Sequence, residues 1–294
     1  MIMIFPGRET RYYMKDFIFL GGDLRFIYAA AKLSERYDCG IFGFDKLEYP
    51  AFEILTEIRR AKNVILPLPM SRNCDYITAP YYSGKMQISD VVKAVGKGGS
   101  IYCGKACPIM NHICRDNGLT LVDYFEREEL VVMNAAITAE GALEIIMREK
   151  ARAIMDMSVL VMGYGRIAKV LSGHLKALGA NVTVTARKFA DLSWVRIAGC
   201  NAVHFDDVDD LLGGFDTIVN TVPAQVLDEG RLGRLRRDCL IVDLASKSCV
   251  ASMEGVNVIW ALSLPGKIAP ITAGEIIADT IFNIINEKKG AGNL

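Results

Sequence analysis

Gly163-Tyr164-Gly165-Arg166-Ile167-Ala168 directly follows the apolar run Ser158-Val159-Leu160-Val161-Met162. It opens a stretch in which Ile167, Val170, Leu171, Leu175 and Leu178 recur at helical spacing. A Gly-x-Gly-x-x-Ala pattern set between strand and helix is the arrangement that cradles a dinucleotide diphosphate. Gly163 permits the tight turn, and Gly165 removes the Cβ that would block the diphosphate. Ala168 lets helix and strand pack closely. The unpaired N–H groups of the helix start then favour the diphosphate charge, with Tyr164, Arg166 and Ile167 as further loop contacts.

The next strand ends Val182-Thr183-Val184-Thr185-Ala186-Arg187-Lys188. A site for NAD carries an acidic residue near this point to bond the ribose 2′-OH. Here the first carboxylate is Asp191. Thr185, Arg187 and Lys188 suit a 2′-phosphate through charge-assisted bonds. The sequence therefore predicts NADP as the better ligand, with NAD also admitted. The alternative is that both cations are solvated loop charges.

Ligands of parallel sheets bind beyond the carboxyl ends of the strands. Three further strand ends should line the same site. They are Asn220-Thr221-Val222-Pro223, Asp243-Leu244-Ala245-Ser246-Lys247 and Leu264-Pro265-Gly266-Lys267. Asn220 to Pro223, Asp243, Ala245 and Pro265 are assigned to the cofactor side. Asn220 and Asp243 read equally well as residues that shape their turns.

Other reactive residues read as structural. Cys103, Cys107, His112 and Cys114 have no zinc-module spacing, so buried thiols are expected and no metal. His174 falls on the helix after the glycine loop, and His204 ends a strand. Residues 205–294 contain no histidine, which removes the usual general base of hydroxy-acid dehydrogenases.

The elements that position these residues form one repeating pattern. Short apolar runs alternate with amphipathic stretches through most of the chain, which predicts α/β architecture with mainly parallel sheets. Strands are expected at 16–20, 39–42, 64–66, 100–103 and 119–122, with helices at 24–36, 51–61, 88–95 and 108–117. A second series of strands is expected at 158–162, 181–185, 202–204, 217–220, 240–243 and 256–260. The fold reading is two doubly wound, Rossmann-like domains with an interdomain cleft. Residues 1–137 form a flavodoxin- or Rossmann-like substrate-side domain, and 138–156 a linking helix capped by Thr138. Residues 157–271 form the NAD(P)-binding domain, and 272–294 a C-terminal helix returning toward the N-terminal domain. Gly21-Gly22-Asp23 is a second turn between strand and helix, read as a substrate-side or domain-interface turn without the full dinucleotide pattern.

The chain has 294 residues, with 34 Lys+Arg against 34 Asp+Glu. That balance supplies no basic field for nucleic acid or an anionic membrane. Uninterrupted apolar runs fall short of the ~18 residues that span a bilayer. The start Met1-Ile2-Met3-Ile4-Phe5-Pro6 lacks a signal-peptide pattern, so a cytoplasmic chain with reduced thiols is expected.

Several stretches carry a family resemblance. They are Phe19 to Arg25, Phe42 to Leu47, Ile65 to Pro69, Asn134 to Gly141, Gly163 to Ala168 and Leu178 to Val182. Ala186-Arg187, Asn220 to Pro223, Asp243 to Ser246, and Leu264 to Pro270 with Thr272-Ala273-Gly274 continue the series. In this order the chain resembles the family of dipicolinate synthase A-subunits. After Ser246 the family usually has an Arg-Pro-Gly-Gly-like stretch, where this chain has Lys247-Ser248-Cys249-Val250. The resemblance implies NAD(P)-dependent oxidation of dihydrodipicolinate to dipicolinate (pyridine-2,6-dicarboxylate). It also implies a flavoprotein-like partner, the dipicolinate synthase B-subunit, and expression in the mother cell of a spore-former.

A small dicarboxylate substrate needs cationic or N–H partners. Lys247 replaces the family's Arg and is the first catalytic candidate, with Glu140 read either as proton acceptor or only as a helix first-turn charge, and Asn134 at the same crossing. Arg25, Arg72, Thr138, Ser246 and Lys267 are the substrate-binding candidates. Other readings stay open at this point. One is an NADP-dependent oxidoreductase acting on another keto or imino acid. The other is a non-catalytic cofactor-binding scaffold for the B-subunit. A homo-oligomer is compatible with each.

Overall fold

The computed structural model describes residues 14–48, 52 and 54–291. They fall into two compact units, residues 1–127 with 274–294, and residues 128–273.

The first unit is built on β1 (Lys15–Leu20), α1 (Leu24–Leu33), β2 (Cys39–Phe42), β3 (Ile54–Leu55), β4 (Ala61–Ile65), α2 (Val91–Ala94), β5 (Val95–Cys103), α3 (Pro108–Asp116) and β6 (Thr120–Asp123). Its six strands are parallel, in the order β3-β2-β1-β4-β5-β6. Phe17, Ile18, Phe19 and Leu20 are all buried, as expected of a central strand covered on both faces.

The second unit comprises α4 (Glu128–Glu149), β7 (Ser158–Met162), α5 (Arg166–Ala177), β8 (Asn181–Ala186), α6 (Phe189–Ile197), β9 (Asn201–His204), β10 (Thr217–Asn220), α7 (Glu229–Leu232), β11 (Leu240–Asp243), β12 (Asn257–Trp260) and α8 (Leu264–Ile268). Its sheet is also parallel, in the order β12-β11-β10-β7-β8-β9. Each sheet therefore winds outward in both directions from its first strand. The reversal between β7 and β10 creates the crevice where such sheets take ligands.

A last helix, α9 (Pro270–Ala291), crosses the unit boundary. From Gly274 onward it packs on the first unit. A Cβ at Gly274 would lie 2.3 Å from the Arg25 carbonyl oxygen, so only glycine allows this approach. Lys32 pairs with Asp279, and Arg127 holds Glu287 with two hydrogen bonds.

Several elements differ from the sequence reading. Part of the helix expected at 51–61 lies outside the described residues. Within it, Ile54–Leu55 instead joins Ile41–Phe42 as an edge strand, where sheet pairing overrides helical composition. The helical turns expected at 88–95 are present over 88–94, but the strand expected at 100–103 begins earlier, at Val95, and runs for nine residues. The expected helix 138–156 is displaced. It begins at Glu128, with Glu128 and Glu129 in the first turn where carboxylates favour the helix dipole. Thr138 is therefore no cap. It lies mid-helix, and its hydroxyl donates to the Asn134 carbonyl at 2.8 Å.

By length and composition α4 is apolar enough to cross a bilayer, with a mean hydropathy of 1.6 over its best window. It is instead a core helix of the second unit. Leu130, Ala135, Ile137, Ala139, Ala142, Ile145 and Ile146 are buried. A Cβ at Gly141 would lie 3.0 Å from the Leu264 Cβ, so α8 lies almost on its backbone.

Candidate functional site

Gly163 leaves β7 with φ +94° and donates its N–H to the Thr185 carbonyl at 3.0 Å. A Cβ there would stand 2.8 Å from Thr221 Oγ1 and 2.9 Å from Val222 Cγ2, so the turn requires glycine. Gly165 is the N-cap of α5 and supplies no side-chain cap. A Cβ built at Gly165 meets no protein atom within 4 Å. The first N–H groups of a twelve-residue helix thus border open space. Ala168 is fully buried where α5 packs on the sheet.

That space belongs to a pocket of about 480 Å³. Gly163, Tyr164 and Gly165 border it from the first loop, and Thr185, Arg187 and Lys188 from the end of β8. Thr221, Val222 and Pro223 close it from the end of β10. Thr185 is fully buried, and its Oγ1 has no hydrogen-bond partner among the described residues. A buried hydroxyl beside an open pocket costs stability unless a ligand or water completes it. Burial pushes the Tyr164 phenol above its ordinary 10.0, with Cys200 and Asp191 adding to the effect. Lys169 lies over the Tyr164 ring, 5.3 Å from its centroid.

An uncapped helix start, a missing Cβ and an orphan hydroxyl fit a dinucleotide with its diphosphate over Gly165. Asp191, Phe205, Ala224 and Val226 also line the pocket, and sequence reasoning did not assign them. Phe205 and Val226 come from segments whose proximity only the long-range pairing of β8 with β9 and β7 with β10 establishes.

Other assigned cofactor residues serve the frame. Asn220 and Asp243 are fully buried opposite each other on β10 and β11. Asn220 Nδ2 donates to Asp243 Oδ1 at 2.9 Å, and Asn220 Oδ1 accepts from Val222 N at 3.0 Å. Asp243 also accepts from Ala245 N at 3.1 Å and Cys249 N at 2.9 Å. These bonds fix the turns after β10 and β11. Arg166 is held by Glu128 through bonds of 2.8 and 2.6 Å, which lower the Glu128 pKa and raise that of Arg166. Ile167 packs against the core. Ala245 and Pro265 are buried, and the Ala245 carbonyl accepts from Trp260 Nε1 at 2.9 Å.

The substrate-side candidates divide by unit. In the second, Ser246, Lys247 and Lys267 are exposed beyond β11 and on α8. Glu140 is exposed on α4, one residue before the glycine against which α8 packs, and Asn134 is half-buried nearer the start of α4. In the first, Arg72 is exposed in the loop after β4. Arg25 is 5% exposed, and its guanidinium binds both Asp23 oxygens at 2.8 Å and the Leu68 carbonyl at 2.6 Å. The structure thus gives Arg25 the task of fastening its own turn.

Cys103, Cys107 and Cys114 are buried while His112 is exposed. Burial pushes the Cys114 thiol up to about 11.

Residues 16–125 match the family described as the N-terminal domain of the dipicolinate synthase A-subunit. The chain is 27% identical over 281 residues to the dipicolinate synthase A-subunit of Bacillus subtilis, covering 91% of this chain and 95% of that protein. The crystal structure of the dipicolinate synthase A-subunit from Bacillus halodurans superposes with a TM-score of 0.82 at 25% identity, covering 91% of this chain and 96% of that one. A transhydrogenase from Sinorhizobium meliloti shares the fold at 14% identity and a TM-score of 0.69, covering 92% of this chain and 94% of that one.

Proposed function

The chain is a relative of the dipicolinate synthase A-subunit, and on that footing we propose that it oxidises dihydrodipicolinate to dipicolinate with NADP. One observation carries the reading. The pocket joins an uncapped helix start at Gly165 to two exposed cations, Arg187 and Lys188, with the unpartnered Thr185 hydroxyl beside them. The helix start at Gly165 would hold the diphosphate, and Arg187 and Lys188 would hold the 2′-phosphate. NAD is the weaker alternative.

The chemistry a bound nicotinamide would supply is acceptance of the hydride lost from one ring carbon of the substrate. A proton leaves a neighbouring position, and the ring becomes aromatic. Aromatisation supplies much of the driving force, so orientation matters more than a strong base. Lys247 and Lys267 grip the two carboxylates, with Ser246 donating a hydrogen bond. Glu140 receives the proton, directly or through water, and Asn134 orients the ring. The reaction serves sporulation, in the mother-cell cytoplasm, alongside the flavoprotein-like B-subunit.

Calorimetric titration with NADP and NAD tests the cofactor. Turnover of dihydrodipicolinate, followed by NADPH absorbance with and without the B-subunit, tests the reaction. Nucleotide binding without turnover in either setting would refute the enzymatic reading.

A further inference from the structure

We propose that His204 is a positioning residue for nucleotide selectivity, holding the Arg187–Lys188 pair where a 2′-phosphate meets it. The inference deepens the NADP reading above and rests on it. His204 closes β9, where strand pairing sets it opposite Ala186, the last residue of β8. Its Nε2 lies 3.0 Å from the Arg187 carbonyl oxygen. A carbonyl only accepts, so Nε2 carries the hydrogen. Nδ1 lies 3.4 Å from the Asp206 backbone nitrogen, whose N–H it accepts. The Asp206 carboxylate stands 3.5 Å from Nδ1. The imidazole also stacks on Phe189, with centroids 5.5 Å apart and planes 22° apart.

Arg187 and Lys188 are therefore bracketed by one side chain. The carbonyl of the first cation is hydrogen-bonded to the imidazole, and the residue after the second is stacked on it. Both cations are exposed and border the pocket. Two long, solvated side chains on a free loop lose entropy when they close on a phosphate. A loop already fixed at both ends loses less. The benefit reaches only a ligand that engages the cations, so it separates NADP from NAD.

The test is calorimetric titration of the full chain with NADP, NAD and 2′,5′-ADP, for the wild type, His204→Ala, His204→Gln and Phe189→Ala. For His204→Ala, NADP and 2′,5′-ADP should weaken about tenfold and NAD by less than about twofold, the scale of ordering one or two long side chains. His204→Gln, which keeps an N–H donor for the Arg187 carbonyl, should recover part of the ratio. Phe189 is 77% exposed, so Phe189→Ala should fold and lower the ratio even if His204→Ala does not fold. An unchanged NADP-to-NAD ratio in these variants overturns the role of His204 and leaves the cofactor reading standing. Equal weakening of both nucleotides would mark a merely structural residue and also overturn it. A wild type indifferent between NADP and NAD overturns the cofactor reading, and this inference with it.

Discussion

Gly21 and Gly163 are the same station of one topology used twice. Each follows the first strand of its sheet with positive φ, +67° and +94°. Each donates its N–H to the end of the neighbouring strand, Gly21 to Phe42 and Gly163 to Thr185. Two residues later the copies diverge. Asp23 caps α1 with its carboxylate, which accepts from Arg25 N, and binds the Arg25 guanidinium. The N–H of Gly22 is taken by the Thr78 carbonyl at 2.8 Å. The first turn thus holds its own anion, and the second, capped by Gly165, leaves that place to a ligand.

Gly165→Asp would convert the second turn into the first. The backbone, φ −80° and ψ −170°, accepts any residue, so the fold should persist. Replacing a glycine cap by Asp should stabilise α5 by a few tenths of a kcal/mol. The new carboxylate would face the diphosphate at contact distance, and NADP affinity should fall by about two orders of magnitude or more. Thermal melting read beside calorimetry checks both halves. A variant that binds NADP normally would place the diphosphate elsewhere.

Arg187→Ala should weaken NADP by roughly ten- to hundredfold, the scale of one charge-assisted hydrogen bond to phosphate, and leave NAD nearly unchanged. Raising the salt concentration should shrink the wild-type preference and barely affect the variant. Fluorescence titration in low and high salt measures both effects. Equal losses for the two nucleotides would remove Arg187 from the 2′-phosphate.

What was legible in the sequence was what is local. Gly163, Gly165 and Ala168 act through their own backbone and the next turn, so spacing alone reveals them. Thr185 and Arg187 follow from where β8 must end. Long-range roles were hidden. His204 matters only because β9 pairs with β8 in a register that sets it opposite Ala186. Arg25 reads as a free cation because nothing in the sequence shows Leu68 folding over it. The start of α4 is obscured for a related reason. Thr138 resembles a cap, but its hydroxyl is satisfied four residues back, and the helix is set by Glu128 and Glu129 ten residues earlier.

Asp243→Ala should destabilise the second unit without touching a ligand. The carboxylate takes donors from Asn220 at the end of β10 and from Ala245 and Cys249 in the loop that carries Lys247. Removing it leaves them unpaired, at about 1–3 kcal/mol for each buried group that water fails to reach. Urea unfolding should show the loss, and Asp243→Asn, which keeps one acceptor oxygen, should lose less. Wild-type stability in Asp243→Ala would contradict the loop-shaping role.

Stability should decline on the alkaline side. Burial pushes the Cys39 thiol up to about 12 and the Cys239 thiol up to about 11 from an ordinary 9.0. A thiol with a raised folded-state pKa ionises more readily when unfolded. Its contribution is complete below about pH 9 and is lost progressively between 9 and those values. Urea midpoints should therefore fall between pH 8 and pH 11, less steeply in Cys39→Ala and Cys239→Ala. A slope unchanged by both substitutions would assign the effect to other groups.

Lys247 is the sharpest test of where the substrate lies. The base of its loop is fixed, since Cys249 N donates to Asp243 and Cys249 Sγ to the Lys247 carbonyl at 3.1 Å, yet its side chain is exposed. Gripping one substrate carboxylate should make Lys247→Ala raise KM for dihydrodipicolinate by roughly tenfold or more, the value of a hydrogen bond to a charged group. NADP affinity should stay unchanged, because Lys247 does not border the nucleotide pocket. Lys247→Arg should restore or improve KM, since a guanidinium forks onto a carboxylate where an ammonium meets it at one point. Steady-state kinetics with the B-subunit present, beside calorimetry with NADP alone, separates the two ligands. If Lys247→Ala keeps the wild-type KM, the substrate carboxylates are bound by other groups.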